Sequence, residues 1–236
     1  WLAENEIVAR VRYYGCPAEE GGAAKAYMAR DGLFDDVDAA ISWHPSTFNA
    51  VQHGHSLANS RIDFTFHGKA AHAAAAPQLG RSALDACELM NIGVNYLREH
   101  MPDSARVHYA YLDAGGVAPN VVQAKATVRQ LVRAADLDAL RDLVARVRSI
   151  ADGAAMMTGT TVQTKVYSGV SNLVGNRPLE EVMQHEFEKL GPVPFEAADV
   201  SLANDIRKTL TKDDITASFQ RIGLETPKDL PLCDFV

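Results

Sequence analysis

The chain has 236 residues, of which 47% are hydrophobic and 22% are charged, a composition that is ordinary for a soluble globular protein of one large or two small domains. Its formal net charge of −7 argues against a general nucleic-acid binder and against a binder of anionic membranes. No apolar stretch reaches the ~20 residues of a membrane-spanning helix, and the start does not resemble a secretory signal. The three widely spaced cysteines fit a reducing cytoplasm without a disulfide framework. Because the chain opens without Met and stops with no obvious final element, we expect an internal segment of a longer protein.

An acidic loop follows the first predicted strand, Ile7 to Tyr14, which is rich in β-branched and aromatic residues. The loop reads Gly15-Cys16-Pro17-Ala18-Glu19-Glu20-Gly21-Gly22 and leads into a predicted helix, Ala23 to Arg30. Ligands of open α/β sheets bind at the carboxyl ends of strands, so Glu19 and Glu20 are placed to bind a cation there. One carboxylate could then ligate a metal while the other acts as general base on water. A solvated acidic turn is the alternative that the pair alone leaves open.

A second short apolar run, Asp38 to Trp43, predicts another buried strand, which His44-Pro45 closes. This β-α-β step places His44 and Glu20 on the same edge of a sheet, where the imidazole could be a second metal ligand. A hydrogen-bonded loop histidine is the alternative. The next small and polar stretch, His53-Gly54-His55-Ser56, predicts a domain crossing and is favoured as a solvated linker over a metal site.

From Asn59 onward the pattern is that of a β-α-β-β-α-β module at residues 56–171. Alternating apolar residues predict four strands, and helical spacing predicts two amphipathic helices. The strands contain Ile62–Phe66, Val107–Tyr111, Val121–Arg133 and Val162–Ser168, and the helices contain Arg81–His100 and Leu137–Ala151. This order is the ferredoxin-like plan, whose open face and edge strands must be covered or must pair with a partner. Further helices are predicted at Leu179–Leu190 and Ala198–Leu210, and Lys212 to Val236 is predicted to be mostly irregular.

Taken in order, several motifs resemble the amidohydrolase and aminoacylase branch of the dinuclear metallopeptidases related to carboxypeptidase G. They are the acidic loop, His44, Gly68-Lys69-Ala70-Ala71-His72, Ala118-Pro119-Asn120-Val121-Val122 and Arg133. The stretches Ile41-Ser42-Trp43-His44-Pro45 and Leu131-Val132-Arg133-Ala134 are similar to members that act on p-aminobenzoyl-glutamate. The resemblance extends to about residue 190. It implies an α/β fold in which a catalytic domain, residues 1–55 and 172–236, holds an inserted ferredoxin-like lid or dimerisation domain at 56–171.

The resemblance also implies roles for six residues and for two divalent metal ions, Zn or Mn, in the full-length protein. Glu19 would be the general base, Glu20 a ligand of one metal and His44 a ligand of the other. His72 and Asn120 would reach the active site of the opposing subunit, where they bind the developing oxyanion and the substrate. Arg133 would attract a substrate carboxylate. The alternatives are that Arg133 only solvates the end of a strand and that His72 is only a polar loop residue.

The implied activity is hydrolysis of an N-acyl amino acid amide such as p-aminobenzoyl-glutamate, a folate catabolite, by a cytoplasmic homodimer or heterodimer joined through the lid. The family has further metal ligands upstream of the Glu-Glu pair and a last histidine near its C-terminus, and this sequence has neither. Two ligands are fewer than a catalytic metal needs, so we expect activity in the full-length parent and none in this segment. The alternative is a catalytically inactive relative whose ferredoxin-like module serves self-association or ligand sensing.

Overall fold

The computed structural model of the chain describes residues 2–52, 56–191 and 193–228. Within them lie a four-stranded sheet and six α-helices. In chain order these are α1 (Ala24–Arg30), β1 (Ala58–His67), α2 (Ala83–Leu97), β2 (Arg106–Asp113), β3 (Lys125–Ala134), α3 (Leu137–Thr158), β4 (Thr161–Val170), α4 (Arg177–Leu190), α5 (Ala197–Arg207) and α6 (Lys212–Gln220).

The described residues form two compact units, the first with residues 2–38 and 56–173 and the second with residues 39–52, 174–191 and 193–228. The predicted domain crossing at residues 53–55 lies outside the described residues, and the division into catalytic and lid domains stays a prediction. No helix in the described part of the chain is long and apolar enough to cross a lipid bilayer.

The sheet has the strand order β2-β3-β1-β4, with every neighbouring pair antiparallel. Two helices, α2 and α3, follow β1 and β3 and cover one face. The β-α-β-β-α-β prediction for residues 56–171 is therefore confirmed, and its strand order is that of the ferredoxin-like plan.

The core lies between the sheet and these two helices. In β1 buried residues alternate strictly with half-buried ones, so that Ile62, Phe64 and Phe66 are fully buried. They meet Met90 and Val94 of α2 in one apolar cluster. Burial of each such side chain contributes about 1.5–3 kcal/mol to the stability of the fold. A shift of one residue in the register of β1 would turn all of these side chains toward solvent.

The other face of the sheet, called the open face here, is polar and half-buried. Arg129 of β3 makes a bidentate ion pair with Asp63 of β1, with Nε–Oδ1 2.6 Å and Nη2–Oδ2 2.9 Å. The guanidinium also stacks on the ring of Tyr167 at 4.0 Å. Tyr167 occupies a β-bulge of β4, where the register with β1 shifts between Arg61 and Ile62. The bulge thus gives the open face a ring from β4 that covers the ion pair between β3 and β1.

Two predicted strands of the catalytic domain, Ile7 to Tyr14 and Asp38 to Trp43, are wrong. Both segments lack regular secondary structure, and Val8 and Tyr13 are almost fully exposed. A strand needs a neighbour to accept its backbone hydrogen bonds, and no described strand pairs with either segment. Side chains hold the first segment instead. The Tyr14 hydroxyl donates to the Leu33 carbonyl at 2.9 Å, and Arg12 makes a bidentate ion pair with Asp36.

Two further differences concern helix and strand ends. The predicted irregular stretch after Lys212 begins with α6, because Thr211 and Asp214 form a capping box that satisfies the first backbone donors. Strand β3 begins at Lys125 rather than Val121. The four residues before Lys125 form a loop in which the Val122 amide donates to the Ala71 carbonyl at 3.0 Å.

Candidate active site

The acidic loop, residues 15–22, is a hydrogen-bonded turn in the first unit. Its carbonyl at Ala18 accepts from the Gly21 and Ala23 amides at 3.2 and 2.9 Å. Ala18 and Ala23 have left-handed backbones, with φ of 54° and 53°. This conformation costs an L-residue about 1–2 kcal/mol, and strained residues of this kind cluster at functional sites.

Both carboxylates of the loop are exposed and chemically available. Neither Glu19 nor Glu20 has a side-chain hydrogen bond or ion pair with any residue that the structure describes. The loop is held through its backbone, because Arg61 Nη1 donates to the carbonyls of Glu20 and Gly21 at 2.8 and 2.7 Å. A shallow cavity of about 270 Å³ lies between the loop, the start of α1 and the adjoining ends of β1 and β4, with Asn59 and Arg61 in its wall.

His44 presents a free ring nitrogen. Its Nδ1 lies 2.9 Å from the carbonyl oxygen of Pro45. A carbonyl only accepts, so Nδ1 carries the proton and the Nε2 lone pair is free. Metal-binding histidines characteristically donate their other ring N–H to such an oxygen. His44 belongs to the second unit and Glu20 to the first, so the convergence of the two stays a prediction.

His72 is in the opposite tautomer. Its Nδ1 accepts from the backbone amides of Ala74 and Ala75 at 3.2 and 3.1 Å, which leaves the proton on Nε2. The exposed imidazole therefore presents an N–H donor. A donor fixed by its own loop is suited to a developing negative charge.

The His72 loop and the Asn120 turn are joined to each other. The Ala73 amide donates to the Asn120 carbonyl at 2.9 Å, and His72 forms an isolated antiparallel bridge with Val121. Gly68 lies where these two loops join the sheet, and its amide donates to the Ala124 carbonyl at 2.8 Å. The structure thus brings together His72 and Asn120, which lie about 50 positions apart in the sequence.

Arg133 lies at the other end of the sheet. It is half-buried near the end of β3, opposite Asn59 of β1 and Arg106 of β2. The His72 loop joins the sheet at Ala124, and nine residues of extended chain separate that point from Arg133 by about 30 Å. Asn59, the neighbour of Arg133, also lines the cavity below Glu19 and Glu20. Arg133 and the acidic loop therefore share one end of the first unit, and His72 and Asn120 occupy the other.

Arg61 is the residue of this region that the sequence did not single out. In the sequence it is one polar member of an alternating strand, and nothing local distinguishes it from Asp63 or Thr65. The described residues contain no group of three or more His, Cys, Asp or Glu side chains that could hold a metal ion.

Comparison with known proteins gives a family match for residues 57–156 and similar proteins for most of the chain. The family described as "Peptidase dimerisation domain" matches residues 57–156. Over 94% of its length the chain is 45% identical to a p-aminobenzoyl-glutamate hydrolase subunit of Escherichia coli (strain K12) and covers 46% of that protein. It is 32% identical over 77% of its length to Xaa-Arg dipeptidase of Mus musculus and covers 42% of it.

Among solved structures, the chain shares a fold with an aminobenzoyl-glutamate utilization protein from Klebsiella pneumoniae. The TM-score is 0.56 at 19% identity, over 84% of this chain and 51% of that chain. The chain spans about half the length of the curated relatives that it matches. These findings confirm the predicted resemblance: residues 57–156 carry a peptidase dimerisation domain, and the chain is similar over most of its length to a subunit of p-aminobenzoyl-glutamate hydrolase.

Proposed function

We propose that this chain belongs to a metal-dependent amidohydrolase that cleaves the amide between an acyl group and an amino acid. The observation that carries the proposal is the 45% identity, over 94% of the chain, to a protein named as part of p-aminobenzoyl-glutamate hydrolase. That name makes p-aminobenzoyl-glutamate the first substrate to test. A cytoplasmic location remains part of the proposal and is supported by two free thiols, Cys16 and Cys87.

The donor chemistry of the chain fits divalent metal ions. Glu20 offers a carboxylate with no side-chain partner in the described part of the chain, and His44 offers the Nε2 lone pair that its bond to Pro45 leaves free. Carboxylate and imidazole ligands suit Zn and Mn alike. When bound, two such ions would polarise the scissile carbonyl and activate a water molecule. Further ligands must come from the full-length protein, and this segment alone is expected to be inactive.

Each of the remaining side chains has a distinct task in this proposal. Glu19, which is exposed and unpaired among the described residues, takes a proton from the attacking water and passes it to the leaving nitrogen. His72 Nε2–H donates to the oxyanion, and removal of one such donor typically lowers kcat by about 10²–10³-fold. The Asn120 amide orients the substrate, and the planar fork of Arg133 binds its carboxylate.

The positions of these residues favour an active site shared between two subunits. Arg133 and Glu19 lie at one end of the first unit, while His72 and Asn120 lie about 30 Å away along β3. One small N-acyl amino acid is too short to contact both ends. A dimer that brings the His72 end of one subunit to the Glu19 end of the other would complete both sites.

The exposed edge of the lid supports association between such subunits. Strand β2 is a sheet edge, and Tyr109 and Leu112 are 43% and 50% exposed on it. On the neighbouring helix α2, Ile92 and Tyr96 are exposed as well, at 49% and 72%. An uncovered apolar edge of this kind is typical of a pairing surface. The partner is a second copy or a related chain.

The proposal is tested by an activity assay of the full-length protein on p-aminobenzoyl-glutamate with Zn²⁺ or Mn²⁺. Glu19→Ala should lower kcat by about 10²–10⁴-fold, because it removes the general base. Glu99→Ala, which removes an exposed carboxylate beyond α2, is the matched control and should retain activity. Turnover by Glu19→Ala at the wild-type rate, or turnover that survives complete removal of metal, contradicts the proposal.

One observation favours the alternative of an inactive relative. The ferredoxin-like module at residues 56–171 has all four strands and both helices of its plan. A protein that uses only this module should dimerise without metal and should not hydrolyse amides. Sedimentation of the metal-free protein at micromolar concentration tests this alternative, because a monomer there counts against the self-association function.

A further inference from the structure

We propose that Arg61 is a positioning residue that fixes the acidic loop on the open face of the sheet. Its catalytic consequence rests on the proposed function, whereas the contact itself lies within the first unit and can be tested alone. Both hydrogens of a single nitrogen, Nη1, are used on consecutive loop carbonyls, those of Glu20 and Gly21. Charge-assisted bonds of this length are the strong class of hydrogen bond.

The sheet leaves Arg61 free for this task. The nearest carboxylate on its own strand, Asp63, lies two residues further on the same face and is already bound bidentately by Arg129. Tyr167 of β4, on the other side of β1, covers Arg129. The bulge that brings Tyr167 there also pairs Arg61 with Ser168, which lines the same cavity as the loop. Arg61 therefore has no competing anion from its own strand.

The bonds restrain the backbone and leave both carboxylates available. The Arg61 guanidinium donates to backbone carbonyls of the loop and to no carboxylate among the described residues, so Glu19 and Glu20 can act on metal and water while their backbone stays fixed. The anchor acts beside Ala18 and Ala23, whose left-handed backbones need the surrounding structure to hold them. A loop that is released from Arg61 should relax from this strained turn, and its two carboxylates would lose their fixed direction.

The first test measures hydrogen–deuterium exchange of this chain without metal or substrate. Arg61→Met should raise amide exchange in residues 18–23 by about tenfold, with exchange in β1 and β3 and the melting temperature unchanged. Arg61→Lys keeps one charged nitrogen on a shorter stem and should recover part of the protection. Arg148→Met, which removes an exposed arginine of α3, is the matched control and should leave the loop unchanged.

The second test uses the full-length protein with metal and p-aminobenzoyl-glutamate. Arg61→Met should lower kcat about tenfold with KM within about twofold, and Arg61→Lys should restore part of kcat. A raised KM at unchanged kcat would assign Arg61 to substrate binding and overturn the positioning role. Unchanged loop exchange in Arg61→Met, or faster exchange through the whole sheet, overturns it as well. If the wild-type protein hydrolyses no amide, the proposed function fails while the exchange result still decides the role of Arg61.

Discussion

The two histidines of the candidate site show how single backbone contacts set the chemistry of a side chain. His44 donates from Nδ1 to the carbonyl of Pro45 and keeps a lone pair on Nε2. His72 accepts hydrogen bonds from two backbone amides at Nδ1 and carries its proton on Nε2. One ring thus offers an acceptor lone pair and the other an N–H donor, although both belong to the same residue type. The sequence identified both positions, but it could not predict their tautomers, because these depend on which backbone groups the folded loops turn toward each ring.

Gly68 is required at the base of the His72 loop. A Cβ built there would lie 1.9 Å from the backbone carbonyl oxygen of Arg81, which cannot move aside as a flexible side chain could. Gly68→Ala should therefore lower the free energy of unfolding by about 1–3 kcal/mol. Gly153→Ala is the matched control, because the space around Gly153 within α3 is open and alanine favours helix by about 0.5–1 kcal/mol. Equal stability of the two variants in urea denaturation would contradict this account.

Burial should make Cys87 unreactive in the folded protein. Its removal from water raises the pKa of the thiol to about 12, with smaller contributions from Glu88 and Asp113. Folding favours the neutral form of this thiol. Its contribution to the free energy of unfolding is therefore complete below the unfolded-state pKa of about 8.5 and is lost as pH rises toward 12. At pH 8 iodoacetamide should modify Cys16 and spare Cys87, as mapped by peptide mass spectrometry. Rapid labelling of Cys87 without unfolding would show that the core between α2 and the sheet is open.

At the scale of elements, the open face owes part of its order to one ion pair across strands. The Asp63 side chain is only 15% exposed, and both of its carboxylate oxygens accept hydrogen bonds from Arg129. Arg129→Met should lower the free energy of unfolding by about 1–3 kcal/mol, because a half-buried carboxylate is left unpaired. Arg141→Met removes the exposed ion pair with Asp138 on α3 and should change the free energy of unfolding by less than about 0.5 kcal/mol. Thermal denaturation of both variants checks the difference, and equal effects would contradict it.

The elements that the sequence predicted well are those whose own periodicity defines them. Strand β1 and helix α2 each present one apolar face, so the ten residues of the strand and the fifteen of the helix contain the periodic pattern that predicts them. The segments at 7–14 and 38–43 have the composition of strands but no pairing partner among the described strands, and pairing is not a local property. Helix α6 was missed because its signal is the Thr211 and Asp214 capping box rather than an apolar face.

For the candidate site as a whole, the sequence identified candidate residues, and the resemblance rather than their spacing implied that they divide between two subunits. Glu19 and Arg133 are 114 positions apart along the chain, yet their loop and strand share one end of the first unit. His72 falls between them in sequence and lies at the opposite end. Only the antiparallel course of β1 and β3 creates this separation, and spacing along a chain does not reveal it. The separation is what makes a shared active site the central claim for the whole molecule.

Mixing two inactive variants of the full-length protein tests that claim most directly. Glu19→Ala and His72→Gln should each be nearly inactive as homodimers, since each disables both sites. After subunit exchange, half of the dimers are mixed and each holds one intact site, so activity on p-aminobenzoyl-glutamate should return to about a quarter of the wild-type rate. A mixture that stays as inactive as the separate variants, although sedimentation shows exchanged dimers, would contradict a site built from two subunits.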